Sequence, residues 1–169
     1  MVDEMDEWTG FKSDNCSVGR TLAIVGERWT PLILRESFAG VRRFADFRER
    51  LGIASNLLSA RLNSLVEGGV MERVPYREAG GRERYEYALT ECGLELRPIL
   101  LALQQWGDEY LADRAGPSII VRHRSPCDEP VHVTIECASG HGPLVASDLY
   151  RTPGPGARFD RRKRRYLAR

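Results

Sequence analysis

Apolar residues recur along the first half of the chain at helical spacing, and then the period changes. Between Cys16 and Gly26, Val18, Leu22, Ile24 and Val25 form one stripe and predict a helix that stops near the glycine. Trp29 to Phe38 predicts a second helix, with Thr30 as N-cap, Pro31 in its first turn and Gly40 beyond its end. Phe44 to Leu51 predicts a short amphipathic helix with Phe44, Phe47 and Leu51 on one side. Gly52 and Ile53 make a tight connection to a further helix, Ser55 to Glu67, closed by Gly68-Gly69. Past those glycines the period becomes two: residues 70–74 alternate weakly and 84–89 clearly. The intervening Arg77 to Arg82, with Gly80-Gly81, makes the pair a β-hairpin. Tyr85, Tyr87 and Leu89 share one strand face and are expected in the core.

Thr90 is expected to cap a long helix reaching about Ala112, with Pro98 either kinking it or marking its true first turn. Its apolar positions (Leu94, Leu96, Ile99, Leu100, Leu103, Trp106, Tyr110 and Leu111) spread wider than one packing face needs, which implies a second neighbour. After Gly116-Pro117, Ile119–Val121 and Val131–Ile135 are expected as two short strands, and Thr152 to Ala157 as a linker. The fold class is therefore α+β and mainly α. Its expected parts are an N-terminal arm over 1–15, a winged helix-turn-helix over 16–113, a small β-containing extension over 117–150, and a linker with a basic tail over 151–169.

Composition adds three limits. The chain has 169 residues, 42% hydrophobic and 29% charged, as in water-soluble domains that fold without disulfides or metal. No apolar run approaches the ~18 residues a membrane span needs, and the acidic start MVDEMDEWTG lacks a signal core. With Cys16, Cys92, Cys127 and Cys137 too scattered for a disulfide scaffold, the expected compartment is the cytoplasm. The net charge of +1 conceals an asymmetry: residues 158–169 hold seven basic against one acidic residue, whereas 1–157 hold 18 against 23, net −5. Bulk charge does not argue for nucleic-acid binding over most of the chain, so arrangement has to.

The arrangement does. A short helix, a tight turn, a second helix and an arginine-bearing hairpin make a winged helix-turn-helix, whose second helix fits the major groove of double-stranded DNA. In that helix Leu58, Leu62 and Leu65 form the inward stripe, leaving Asn56, Ala60, Asn63 and Glu67 opposite, with Ser55 at its start, Ser59 at the flank and Glu67 at the end directed away from a backbone. Asparagine can bond adenine bidentately, and Arg61, between the faces, is placed for a phosphate. Arg77, Arg82 and Arg84 of the wing, with Arg42 and Arg43 before the short helix, are candidate phosphate anchors. A solvated polar face would look the same on the helix alone; the wing tips the balance.

Several strings then resemble one family: Val25-Gly26-Glu27-Arg28-Trp29-Thr30-Pro31-Leu32-Ile33-Leu34-Arg35-Glu36, Arg43-Phe44-Ala45-Asp46-Phe47, Leu58-Ser59-Ala60-Arg61-Leu62, Leu65-Val66-Glu67-Gly68-Gly69-Val70 and Tyr85-Glu86-Tyr87-Ala88-Leu89-Thr90. Over residues 14–113 the chain is similar to the HxlR-type regulators, relatives of the MarR group. The resemblance implies a homodimer built from the terminal helices, bound to a palindromic operator and often repressing a neighbouring gene. Where the family often opens the recognition helix with Ser-Pro, this chain has Ala54-Ser55.

The resemblance also puts Cys16 where some members sense oxidants or electrophiles; as a plain residue it reads rather as a small buried side chain at the helix start. His123, Cys127, His132, Cys137 and His141 are zinc-ligand types, but without a close C-x2-C pair, and no cofactor is expected. The expectation is a sequence-specific transcription repressor, not an enzyme, answering to a small-molecule or electrophile effector. Rival readings are a thiol- or ligand-responsive sensor and a winged helix that binds protein.

Overall fold

The computed structural model describes residues 11–77 and 81–160. Its elements are β1 (Phe11–Lys12), α1 (Ser17–Val25), α2 (Trp29–Phe38), α3 (Phe44–Leu51), α4 (Ser55–Glu67), β2 (Met71–Tyr76), β3 (Arg84–Leu89), α5 (Glu91–Leu94), α6 (Arg97–Tyr110) and β4 (Arg158–Phe159), with a 3-10 turn at Ala146–Asp148.

The core gathers between residues 33 and 71. Ile33 and Leu34 of α2, Phe47 of α3, Leu58, Leu62 and Leu65 of α4 and Met71 of β2 are each no more than 1% exposed. The leucine stripe of α4 is thus sandwiched between α2, α3 and the wing. Gly52, at φ +61, makes the α3–α4 connection possible, since a left-handed turn is costly for any residue with a Cβ. Its N–H closes α3 on the Arg48 carbonyl at 3.0 Å.

The wing is an antiparallel pair in the register Met71↔Leu89 through Tyr76↔Arg84. A third segment lies against it, since the Tyr87 N–H donates to the Arg42 carbonyl at 2.8 Å. Tyr87 and Leu89 pack on the core, but Tyr85 is 52% exposed, contrary to expectation. Tyr85 pairs with Pro75 near the wing's far end, past the reach of the α4 layer.

Three further expectations change. Arg28 already has helical angles, so α2 begins at Trp29 and Thr30 is no cap; it sits in the first turn, buried. The long helix is two: Thr90 caps α5, its Oγ1 accepting from the Gly93 N–H at 3.1 Å, and Pro98 lies in the first turn of α6. In the extension, 119–121 and 131–135 are not strands. They belong to two open loops, closed by Val131 N–H to Val121 O at 3.0 Å and by Leu144 N–H to Ile135 O at 2.8 Å. Antiparallel pairing in the first loop goes no further than the bridge Arg122↔Pro130. Gln104 and Gln105 of α6 hold this extension through Ile119 O at 2.9 Å and Val133 N at 2.8 Å.

The basic run does not begin as a free tail. Arg158 and Phe159 form β4 against β1, with Phe159 edge-on to Phe11 at 5.7 Å and Arg158 on Asp14 at 3.2 Å. Residues 161–169, which carry most of its charge, lie outside the described residues, as do 1–10 of the arm and Gly80 of the wing turn.

Candidate nucleic-acid interface

Helix α4 presents the polar face its phase predicts. Ser55, Asn56, Ala60 and Asn63 are exposed, and Ser59 is half-buried. The helix opens without a side-chain cap: Ala54 is extended, at φ −62 and ψ 138, and only its carbonyl is used, accepting from Leu58 N–H at 2.9 Å. The first-turn N–H groups of α4 therefore keep their donor capacity.

Asn63 is fixed from the wing. Arg73 Nη2 donates to Asn63 Oδ1 at 2.6 Å, which turns the Asn63 amide nitrogen away from the wing strand. Sequence reasoning missed Arg73. Its signal was the reversal at Gly68-Gly69, which folds the start of β2 back alongside α4. Arg61 is half-buried and turned toward Glu27 at 3.3 Å, while its Nε is buried without a partner.

The flanking arginines fall into two groups. Arg42 is engaged, its Nη1 on Glu86 Oε1 at 2.9 Å, and Arg43 lies over the Tyr76 ring at 4.8 Å. Both fasten the segment before α3 to the wing. On the wing itself Arg77 reaches Glu83 only at 3.9 Å across solvent, whereas Arg82 and Arg84 are exposed and meet no carboxylate among the described residues. A pair as exposed as Arg77–Glu83 contributes ~0–1 kcal/mol, so all three wing guanidiniums are available to a polyanion.

All four cysteines are free thiols. Cys16 is half-buried immediately before α1, and Cys92 Sγ is 3.5 Å from the Gly69 carbonyl. In the extension each remaining cysteine faces a histidine four residues away: His123 Nδ1 and Cys127 Sγ at 3.1 Å, Cys137 Sγ and His141 Nδ1 at 3.4 Å. Backbone hydrogen bonding around Cys137, from His141 foremost and then Ser139, holds its thiol below the ordinary range. Among the described residues no three His, Cys, Asp or Glu side chains converge as a metal site. Nor is any helix there long and apolar enough to cross a membrane.

A leucine-backed helix with an outward polar face, entered through a tight glycine turn and followed by an arginine-bearing hairpin, defines a winged helix-turn-helix protein. The HxlR-like helix-turn-helix family matches residues 24–115. An HTH-type transcriptional regulator of Mycobacterium tuberculosis (strain H37Rv) is 48% identical over 140 residues, 83% of this chain and 87% of that one. The solved structure of PA1607, a candidate transcription factor, superposes at a TM-score of 0.74 with 37% identity, covering 83% of this chain and 96% of that one. The redox regulator HypR in its oxidized form gives 0.52 at 30% identity, over 58% of this chain and 100% of its own. The chain belongs to the HxlR-like helix-turn-helix family and is a DNA-binding transcriptional regulator.

Proposed function

We propose that this regulator is a cytoplasmic repressor that binds a palindromic operator as a homodimer, with α4 in the major groove and the wing along the backbone. The observation that carries the reading is the Arg73–Asn63 hydrogen bond, which locks a base-reading amide on α4 to the wing. Asn56 and Asn63 read base edges, with Ser55, Ser59 and Ala60 making the close, permissive surface beside them. Arg77, Arg82 and Arg84 hold phosphates, the open first turn of α4 offers N–H groups to another, and Arg42 and Arg43 brace the wing from behind. Arg61 exchanges the exposed Glu27 carboxylate for a phosphate on binding.

Support for a dimer comes from the outer face of α6. Ile99, Leu103, Trp106 and Tyr110 repeat at helical spacing, all about half exposed or more, with Leu111 beyond them and Val18 and Leu22 of α1 similarly uncovered.

The test is binding of the gene's own promoter fragment across a salt series. Expected is a steep negative slope of log K on log salt, shallower by about one for Arg82→Ala and for Arg61→Ala. Absence of any protected site at low salt would overturn the reading. Repression is tested with a reporter on that promoter, whose output should rise when the gene is deleted. A fall would make the protein an activator.

A second reading, control by thiol oxidation, draws on the likeness to HypR and on the half-buried position of Cys16 before α1. Oxidant-induced release from DNA should then vanish in Cys16→Ser.

A further inference from the structure

Where α6 passes α2, the 118–122 segment of the extension closes over a cleft of about 780 Å³. Small-molecule sites typically measure ~300–1,000 Å³, so the space suits a drug-sized guest. Its walls are apolar, with Leu32 from α2, Leu100 from α6 and Ile120 from the extension.

The charged groups at its edge decide the chemistry. Four guanidiniums line it, those of Arg35, Arg50, Arg97 and Arg122, against the carboxylates of Glu36 and Asp108. Glu36, whose side chain is only 11% exposed, is already spent: Arg35 donates to it at 3.0 and 2.7 Å, and Arg50 at 3.4 Å. Asp108 accepts from Gln104 at 3.3 Å. Arg97 lies over the Phe38 ring at 5.5 Å, and Arg122 donates to the neutral carbonyl of Asp128 at 2.8 Å. Among the described residues neither Arg97 nor Arg122 has a carboxylate partner. The cleft is therefore lined by apolar side chains together with uncompensated positive charge.

We propose that the cleft binds a small amphipathic organic carboxylate, its anionic end on Arg97 and Arg122 and its apolar body between α2 and α6, and that this ligand controls DNA binding. The inference rests on the regulator reading above. Coupling follows from who owns the walls. Helix α2 belongs to the core that positions α4, and α6 carries the proposed dimer stripe. A guest between them alters the angle between dimer surface and recognition helix. Two half-sites one DNA turn apart, ~34 Å, tolerate little change in that angle. By linkage, whatever the ligand costs DNA binding, DNA costs the ligand.

The test uses the full chain without DNA, titrated calorimetrically with 2-naphthoate and with decanoate, each beside its neutral alcohol. Expected is binding of at least one carboxylate below about 5 mM, with its alcohol about tenfold weaker. Arg97→Gln keeps a polar side chain but removes the charge, and should weaken the carboxylate about tenfold without changing the thermal unfolding midpoint. If neither carboxylate binds, or if Arg97→Gln and Arg122→Gln together leave binding unchanged, the site is overturned. Adding the bound carboxylate to the protein–promoter complex should lower DNA affinity about tenfold. Ligand binding with no change in DNA affinity overturns the regulatory claim. Capture of the carboxylate by a chain that protects no DNA overturns the regulator reading and leaves the site standing.

Discussion

The proposed recognition rests on single residues, and the pair Asn63–Arg73 is the most exposed to test. Asparagine bidentate to adenine is worth ~1–3 kcal/mol against the wrong base, so Asn63→Ala should weaken the operator by that amount while leaving non-specific DNA binding unchanged. Arg73→Ala leaves the amide present but unfixed and should relax specificity at the same base pair by a smaller factor. Competition binding against operators altered one position at a time measures both. Arg61 shows what one-dimensional phase cannot deliver: its angular position on α4 was legible, but not that Glu27, in the α1–α2 turn, reaches it first. Cys137 gives a pH prediction. Its thiol is held below the ordinary range by backbone N–H groups, so the thiolate, the reactive form, persists to lower pH. Iodoacetamide at neutral pH should label Cys137 before the other exposed thiols, with a rate that falls only on acidification below that range. Labelling by mass spectrometry decides it.

Among elements, legibility followed the strength of the local signal. The span Ser55–Glu67 and its buried leucines could be read directly, because an apolar period bounded by glycines has few other solutions. The hairpin was equally plain. The break after Leu94 was half visible through Pro98, but its cause is tertiary: α5 is pressed against the start of the wing. A Cβ on Gly93 would lie 2.1 Å from the Val70 carbonyl oxygen. Thr90 fastens the same junction, its hydroxyl 2.7 Å from the Gly69 carbonyl. Gly93→Ala forces two backbones apart and should destabilise by ~1–3 kcal/mol, more than the ~1 kcal/mol expected when Thr90→Ala removes the cap. Thermal unfolding of the two variants orders them. The extension misled because Ile119–Val121 and Val131–Ile135 have strand composition, whereas pairing between their neighbours goes no further than the bridge Arg122↔Pro130.

At the scale of the whole molecule the charge distribution and the apolar distribution answer different questions. The chain as a whole carries only +1 and residues 1–157 carry −5, so on the proposed reading affinity rests on local guanidiniums and on two half-sites bound together. On that reading dimerisation is a condition of tight binding. The α6 stripe leaves Trp106 57% exposed, its ring tilted against that of Tyr110 at 5.3 Å between centroids. A large aromatic so placed gains most when a second copy covers it, and a carboxylate there would be buried without a partner. Trp106→Asp should convert the dimer to monomer in analytical ultracentrifugation. The core of Phe47, Leu58 and Leu62 lies elsewhere, so the variant should keep its helical circular dichroism. Its promoter affinity should fall by about two orders of magnitude or more, toward that of one half-site. A Trp106→Asp protein that still sediments as a dimer would place the interface off this face of α6. A monomer that binds the promoter undiminished would show that one copy suffices.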